Sequence, residues 1–170
     1  DLDKVADIQV KAYHNFGFKP AVIEDSAHAF GSTFKGQPIG SHGNICTFSF
    51  QAIKHLTCVD GGALVVPHEN LYRRAKLIRW YGINRETNKK DFRCEADIAE
   101  WGYKFHMNDV NASVGIENLK EVDENVIKVQ KSNAKFYDDN LKDIAGITLL
   151  ERDPRMDSSF WIYSMLVEKK

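Results

Sequence analysis

Lys54 stands in an apolar loop, with Ala52 and Ile53 before it and Leu56 after it, and Ser49 precedes it by five positions. An ammonium pressed against apolar neighbours loses solvation, which disfavours its charge, and an uncharged amine attacks carbonyl groups. A surface lysine whose stem covers its neighbours is the plainer reading of such a position. Upstream, Glu24 and Asp25 close a short apolar run, and His28 follows three residues later. Asp25 reads either as a ligand-facing carboxylate or as a cap for Ser26-Ala27-His28.

Taken together, Asp25 with His28, Ser49 and Lys54 suit pyridoxal phosphate. This cofactor requires a lysine to hold its aldehyde as a Schiff base, a carboxylate to keep its pyridine nitrogen protonated, and hydroxyl or backbone donors for its phosphate. A carboxylate facing a pyridinium stays ionised because the charge-assisted hydrogen bond satisfies it.

The elements that would position these groups alternate as in an α/β protein. Asp1 or Asp3 caps a first helix carrying Leu2, Val5, Ala12, Tyr13 and Phe16, and Gly17 stops it. Ala21-Val22-Ile23 is apolar without alternation, as in a strand covered on both faces, so Asp25 falls at its carboxyl end, where α/β sheets bind ligands. A hairpin is expected through Ser32-Thr33-Phe34 and Gln37-Pro38-Ile39 around Lys35-Gly36. Ile45, Phe48 and Phe50 mark the strand that delivers Ser49 and Lys54, and Ala63-Leu64-Val65-Val66 marks another, stopped by Pro67. Leu71, Ala75, Ile78 and Tyr81 define a helix over about 69–81 that ends at Gly82. Residues 83–103 lack periodicity and read as a charged loop bracketed by Trp80, Tyr81 and Trp101, aromatics that either line a cleft or pack on the domain. Asn108 caps a helical pattern that runs on to Gly146, too long for one small core, so it joins two domains or docks a partner. Residues 147–150 and 160–167 read as strands around a turn at Asp153-Pro154.

Composition narrows the classes. The 170 residues are 43% hydrophobic and carry 23 basic against 24 acidic side chains, which leaves no field for nucleic acid or an anionic membrane surface. No apolar run approaches the ~20 residues of a transmembrane helix, and the charged amphipathic N-terminus is no signal peptide. Cys46, Cys58 and Cys94 are too few and too irregular for a disulfide framework or a metal site; they read as packing residues in a reducing cytoplasm. No metal is expected. Both ends look cut, which suggests a piece of a longer protein.

Three segments carry a resemblance: Val-Ile-Glu-Asp-Ser-Ala-His-Ala-Phe-Gly (22–31), Phe-Ser-Phe-Gln-Ala-Ile-Lys-His-Leu-Thr-Cys-Val-Asp-Gly-Gly (48–62) and Gly-Tyr-Lys-Phe-His-Met-Asn-Asp-Val-Asn-Ala (102–112). In this order they resemble the DegT/DnrJ/StrS-type nucleotide-sugar aminotransferases, which are pyridoxal 5'-phosphate enzymes of the aspartate aminotransferase fold (fold type I). The resemblance implies an α/β/α three-layer large domain with a mainly parallel mixed sheet, followed by the start of a small α+β C-terminal domain. Residues 1–106 would be the second half of the large domain, 107–144 the linking and dimer helices, and 145–170 the first strands of the small domain. Lys54 matches the Schiff-base lysine, Asp25 the partner of the pyridine nitrogen, His28 a residue near the phenolic oxygen, and Ser49 a phosphate-binding serine. The segment around His106 matches the place from which the other subunit of a homodimer reaches the phosphate, commonly with an asparagine; here His106 occupies it, with Asn108 two places on.

The implied reaction is a ping-pong exchange in which an amino donor, glutamate in most of the family, aminates the cofactor, and a keto-sugar nucleotide accepts the nitrogen. A related branch replaces the lysine with histidine and dehydrates its sugar; Lys54 is intact, so transamination is favoured. A truncated, non-catalytic fragment is the reading from a different class.

Overall fold

A computed structural model describes residues 1–86, 98 and 100–169. Helix α1 (Leu2–Phe16) is capped by Asp1, whose carboxylate accepts from the Lys4 amide, and ends at Gly17 in the left-handed conformation. Strands β1 (Ile23–Asp25), β4 (Ile45–Ser49) and β5 (Gly62–Val65) form one sheet with β4 in the centre, parallel to β1 and antiparallel to β5. The mixed sheet agrees with the α/β expectation. Its faces are only partly covered by this chain, since Ile23 is 68% exposed. Apolar strand composition anticipated covering layers that the described residues do not supply.

The short hairpin β2 (Thr33–Phe34) and β3 (Gln37–Pro38) turns through Lys35 and Gly36, both at positive φ, as a two-residue hairpin loop requires. A third strand, β7 (Met156–Asp157), adds antiparallel to β2 from far along the chain. Charge reinforces this joint. Arg155 pairs with Asp153, Asp1 and Asp3, while Lys35 pairs with Asp3, so the start of α1, the hairpin and residues 153–155 share one ionic network. The Arg155 guanidinium beside Asp153 holds that carboxyl down to about 2.

Helix α2 (Glu69–Ile78) is shorter than its periodicity suggested, because Tyr81 and Gly82 both take left-handed φ and the Gly82 amide closes back on the Leu77 carbonyl. Residues 87–97 and 99, most of the expected charged loop, lie outside the described residues, and Cys94 with them. The helical pattern from Asn108 is present, but not as one regular helix. Helix α3 (Asp109–Val122), capped by the Asn108 side chain on the Asn111 amide, passes through a π-helical turn at Asp123–Ile127 into α4 (Lys128–Leu141). The widened turn brings Val122 and Ile127 onto one side, where they meet Leu56 in the core. Ile127 also presses on Gly31, where a Cβ would overlap its Cδ1.

Strand β6 (Ile147–Leu149) pairs with β8 (Met165–Val167), which is much shorter than the apolar run over 160–167 predicted. The physical reason lies at Phe160: its φ of 52° turns the chain out of extended geometry before β8 begins. Just before it, Ser159 is wholly buried and joined to the Ser32 hydroxyl by both its amide and its own Oγ, each at 2.9 Å. Cys46 and Cys58 are buried packing residues as expected, with the Cys46 thiol donating to Ser26 Oγ at 3.1 Å and pushed up by burial. Cys58 fills the space left by Gly115 on α3.

Packing at Gly115 yields one expectation. A Cβ there would overlap Cys58 Sγ, so Gly115→Ala should destabilise by about 1–3 kcal/mol. Adding Cys58→Ala should restore much of the loss, because the next atom, Cys58 Cβ, is at an ordinary 3.5 Å; denaturant midpoints of the single and double variants check this. His55 yields a second. Burial lowers its pKa, only partly opposed by its hydrogen bond to the Ser159 backbone, so the native state binds fewer protons than the unfolded one. Its contribution is therefore complete above the unfolded pKa of about 6.5 and declines as pH falls below it. Melting curves between neutral and mildly acid pH should show the decline, and His55→Gln should make it shallower.

Candidate active site

Strand pairing places the first site residues. Asp25 ends β1 in register with Thr47, midway along the parallel strand β4, and the Ser26 amide bonds to the Thr47 carbonyl at 2.9 Å. Asp25 Oδ1 accepts from the Ala27 amide at 3.2 Å and braces a turn over 27–28; no helix follows, so the helix-cap reading of Asp25 does not hold, while its strand-end position does. That turn delivers His28 to the surface beside the Lys54 loop.

Ser49 is the last residue of β4, opposite Gly62 on β5. A Cβ on Gly62 would come within 2.6 Å of the Phe48 carbonyl, so this close strand approach needs glycine. Beyond Ser49 the loop is tied at its base. The Phe50 amide bonds to the Gly61 carbonyl and the Cys58 amide to the Phe50 carbonyl, both at 2.8 Å. Within the loop, the Lys54 amide bonds to the Gln51 carbonyl at 2.9 Å, and Gln51 Oε1 accepts from the Ile53 amide. Buried His55 and Leu56 anchor the far side, leaving Lys54 half-buried.

The residue that joins these groups carries no signal in the sequence. The Trp161 ring stacks on His28, with centroids 3.8 Å apart and planes 12° apart, and the Lys54 Nζ sits 4.2 Å from the Trp161 centroid. Its indole N–H donates to the Ile53 carbonyl at 2.8 Å. Trp161 lay within an apolar run that reads as strand; only the left-handed Phe160 before it directs the indole to the lysine loop.

His106 and Asn108 sit elsewhere, along a cleft of about 280 Å³ that also includes Gly61, Gly62 and Asn111. The His106 ring packs edge-on against Trp80 at 4.0 Å, and its Nδ1 is buried without a hydrogen-bond partner. Burial, followed by the charges of Lys104, Arg79 and Arg85, lowers its pKa. Asn108 Oδ1 is used in capping α3, and Asn111 Nδ2 reaches the Asp60 carbonyl. Of the bracketing aromatics, Trp80 packs against Tyr81 and His106, while Trp101 is 71% exposed.

The donor set fits pyridoxal phosphate: a strand-end carboxylate, a half-buried lysine on a braced loop and a strand-end hydroxyl. Among the described residues no His, Cys, Asp and Glu cluster could hold a metal ion, and no helix is long and apolar enough to cross a membrane.

Residues 5–170 match the model of the DegT/DnrJ/EryC1/StrS aminotransferase family. Over 167 residues the chain is 28% identical to the UDP-4-amino-4,6-dideoxy-N-acetyl-beta-L-altrosamine transaminase of Campylobacter jejuni, covering 98% of this chain and 41% of that protein. The crystal structure of AtS13 from Actinomadura melliaura superposes with a TM-score of 0.92 at 49% identity, over 99% of this chain and 44% of that one. Spr1654 of Streptococcus pneumoniae, solved in its PLP-form, superposes with a TM-score of 0.84 at 27% identity, over 99% of this chain and 45% of the other. The chain thus spans less than half the length of these relatives, and its fold is that of the fold type I pyridoxal phosphate enzymes. By sequence and by structure, the chain belongs to the DegT/DnrJ/EryC1/StrS aminotransferase family.

Proposed function

We propose that the protein to which this chain belongs is a pyridoxal phosphate-dependent aminotransferase that moves an amino group, from glutamate or a similar donor, to the keto group of a deoxy-sugar nucleotide. The observation that carries this reading is the meeting of Lys54 and His28 on one indole, beside the strand end that presents Asp25. Names of relatives support the substrate class, since the Campylobacter jejuni protein is a transaminase of a UDP-linked amino sugar.

When bound, the cofactor supplies an electron sink that stabilises negative charge on the carbon next to the transferred nitrogen. Lys54 Nζ holds the cofactor's aldehyde carbon between turnovers, and when released it carries a proton between the cofactor carbon and the substrate carbon. Asp25 uses one oxygen on the Ala27 amide, and Oδ2 is the atom we assign to the ring nitrogen. There its negative charge keeps a proton on that nitrogen. His28 would contact the phenolic oxygen, and Ser49 Oγ would donate to the phosphate. In a homodimer, His106, or Asn108 through the Nδ2 left over from capping, would reach the phosphate of the other subunit. We assign residues 1–106, 107–144 and 145–170 to large domain, linking helices and small-domain start, and the enzyme to the cytoplasm, where sugar nucleotides and glutamate are available.

The test uses the full-length protein. Adding pyridoxal phosphate should produce a visible absorption band that Lys54→Ala lacks, and Lys54→Ala should lower amino transfer from glutamate by at least about 10²-fold, the lower end for a positioned acid–base group. A band that survives the substitution sinks the assignment of Lys54. Release of water from a keto-deoxy sugar nucleotide without nitrogen transfer would identify a dehydratase instead.

A further inference from the structure

We propose that Trp161 is the resting place of the Lys54 amine whenever that amine is not bonded to the cofactor, which makes it a positioning residue of the site. The inference rests on the assignment of Lys54 given above. Its basis is a set of contacts that converge on one ring. Lys54 Nζ lies 4.2 Å from the indole centroid, a distance at which the ring's negative face attracts an ammonium. The indole N–H is bonded to the carbonyl of Ile53, the residue immediately before Lys54, so ring and lysine backbone are held in one frame. On the same ring, His28 stacks nearly parallel.

The ring is also held from behind. Phe160 takes a left-handed φ of 52°, a conformation that bulky residues adopt only where their surroundings enforce it. Those surroundings are the wholly buried Ser159, bonded twice to Ser32, and the guanidinium of Arg152, 4.5 Å from the Phe160 ring. Backbone strain concentrated directly before Trp161 aims an indole at a lysine that extended geometry would have missed. An amine that must leave its carbon and return in every turnover gains from such a perch, because Nζ stays inside the site while unbonded.

Ring–ammonium attraction also restrains the amine. At a contact of this kind, the free amine should react roughly two- to fivefold more slowly than without the ring. Graded fluorination of Trp161, introduced at that position alone, withdraws electron density from the indole while keeping its shape. In the full-length protein without cofactor, trace acetylation by acetic anhydride at constant pH, read by peptide mass, gives the rate at Lys54 relative to the exposed Lys11. The expected result is a stepwise rise with fluorine count, reaching roughly two- to fivefold, and a comparable rise in Trp161→Leu. A relative rate that stays level or falls along the fluorinated series overturns the proposal, because a ring that only packs would leave it unchanged. Acetylation needs no cofactor, so a graded rise upholds the resting place even in a protein that shows no visible band with pyridoxal phosphate; that lack would count against the aminotransferase reading alone.

Discussion

Strand β4 is bonded along both edges, to β1 on one side and to β5 on the other, and the rest of the site depends on that double pairing. The parallel edge sets where Asp25 ends relative to Thr47. The antiparallel edge brings Gly62 across from Ser49, which fixes the width of the loop that contains Lys54. Because both ends of that loop leave the same strand pair, the lysine needs few further restraints: a turn at Gln51, two buried residues at His55 and Leu56, and one indole. Such a site is built from backbone hydrogen bonds first and side chains second, an order that suits chemistry needing fixed positions.

Much of this was legible in the sequence, for reasons tied to particular residues. Lys35-Gly36 announced the hairpin because few residue pairs accept two successive left-handed conformations. Asp1, Gly17 and Asn108 announced helix ends through side-chain or backbone chemistry confined to a few positions. The placement of Asp25, Ser49 and the Lys54 loop at strand ends followed from where apolar runs stop. Trp161 was not legible, since its pattern is that of a buried strand and only the dihedral of its neighbour says otherwise. Nor was the π turn: val and ile spaced five apart fit no simple period, and Val122 and Ile127 look like ordinary helix positions until Leu56 and Gly31 are placed against them.

The core is thin for the length of chain. Accessible surface is 12638 Å², against about 8,500 Å² for a compact protein of this mass. Large apolar side chains such as Phe16, Phe105 and Val110 are exposed on several faces. At the joint between α1, the hairpin and residues 153–155, the ionic network around Arg155 adds a modest share to this thin packing. The site nonetheless sits on the best-buried region, where Cys46, Leu56, Cys58 and Ser159 lie.

The π turn between α3 and α4 has a consequence for how this helix tolerates change in length. It contains, in effect, one residue more than an α-helical path needs. Removing a single residue between 123 and 127 would restore regular winding and leave α4 nearly in phase with α3, since the wide turn already absorbs the roughly 100° that one added residue brings to an α-helix. Ala134, buried on α4, would keep its facing, and β6 its alignment with β8. A change of one residue in length is thus absorbed midway along the helix, which shields the C-terminal segment, and with it the approach of Trp161 to Lys54, from a loss of phase.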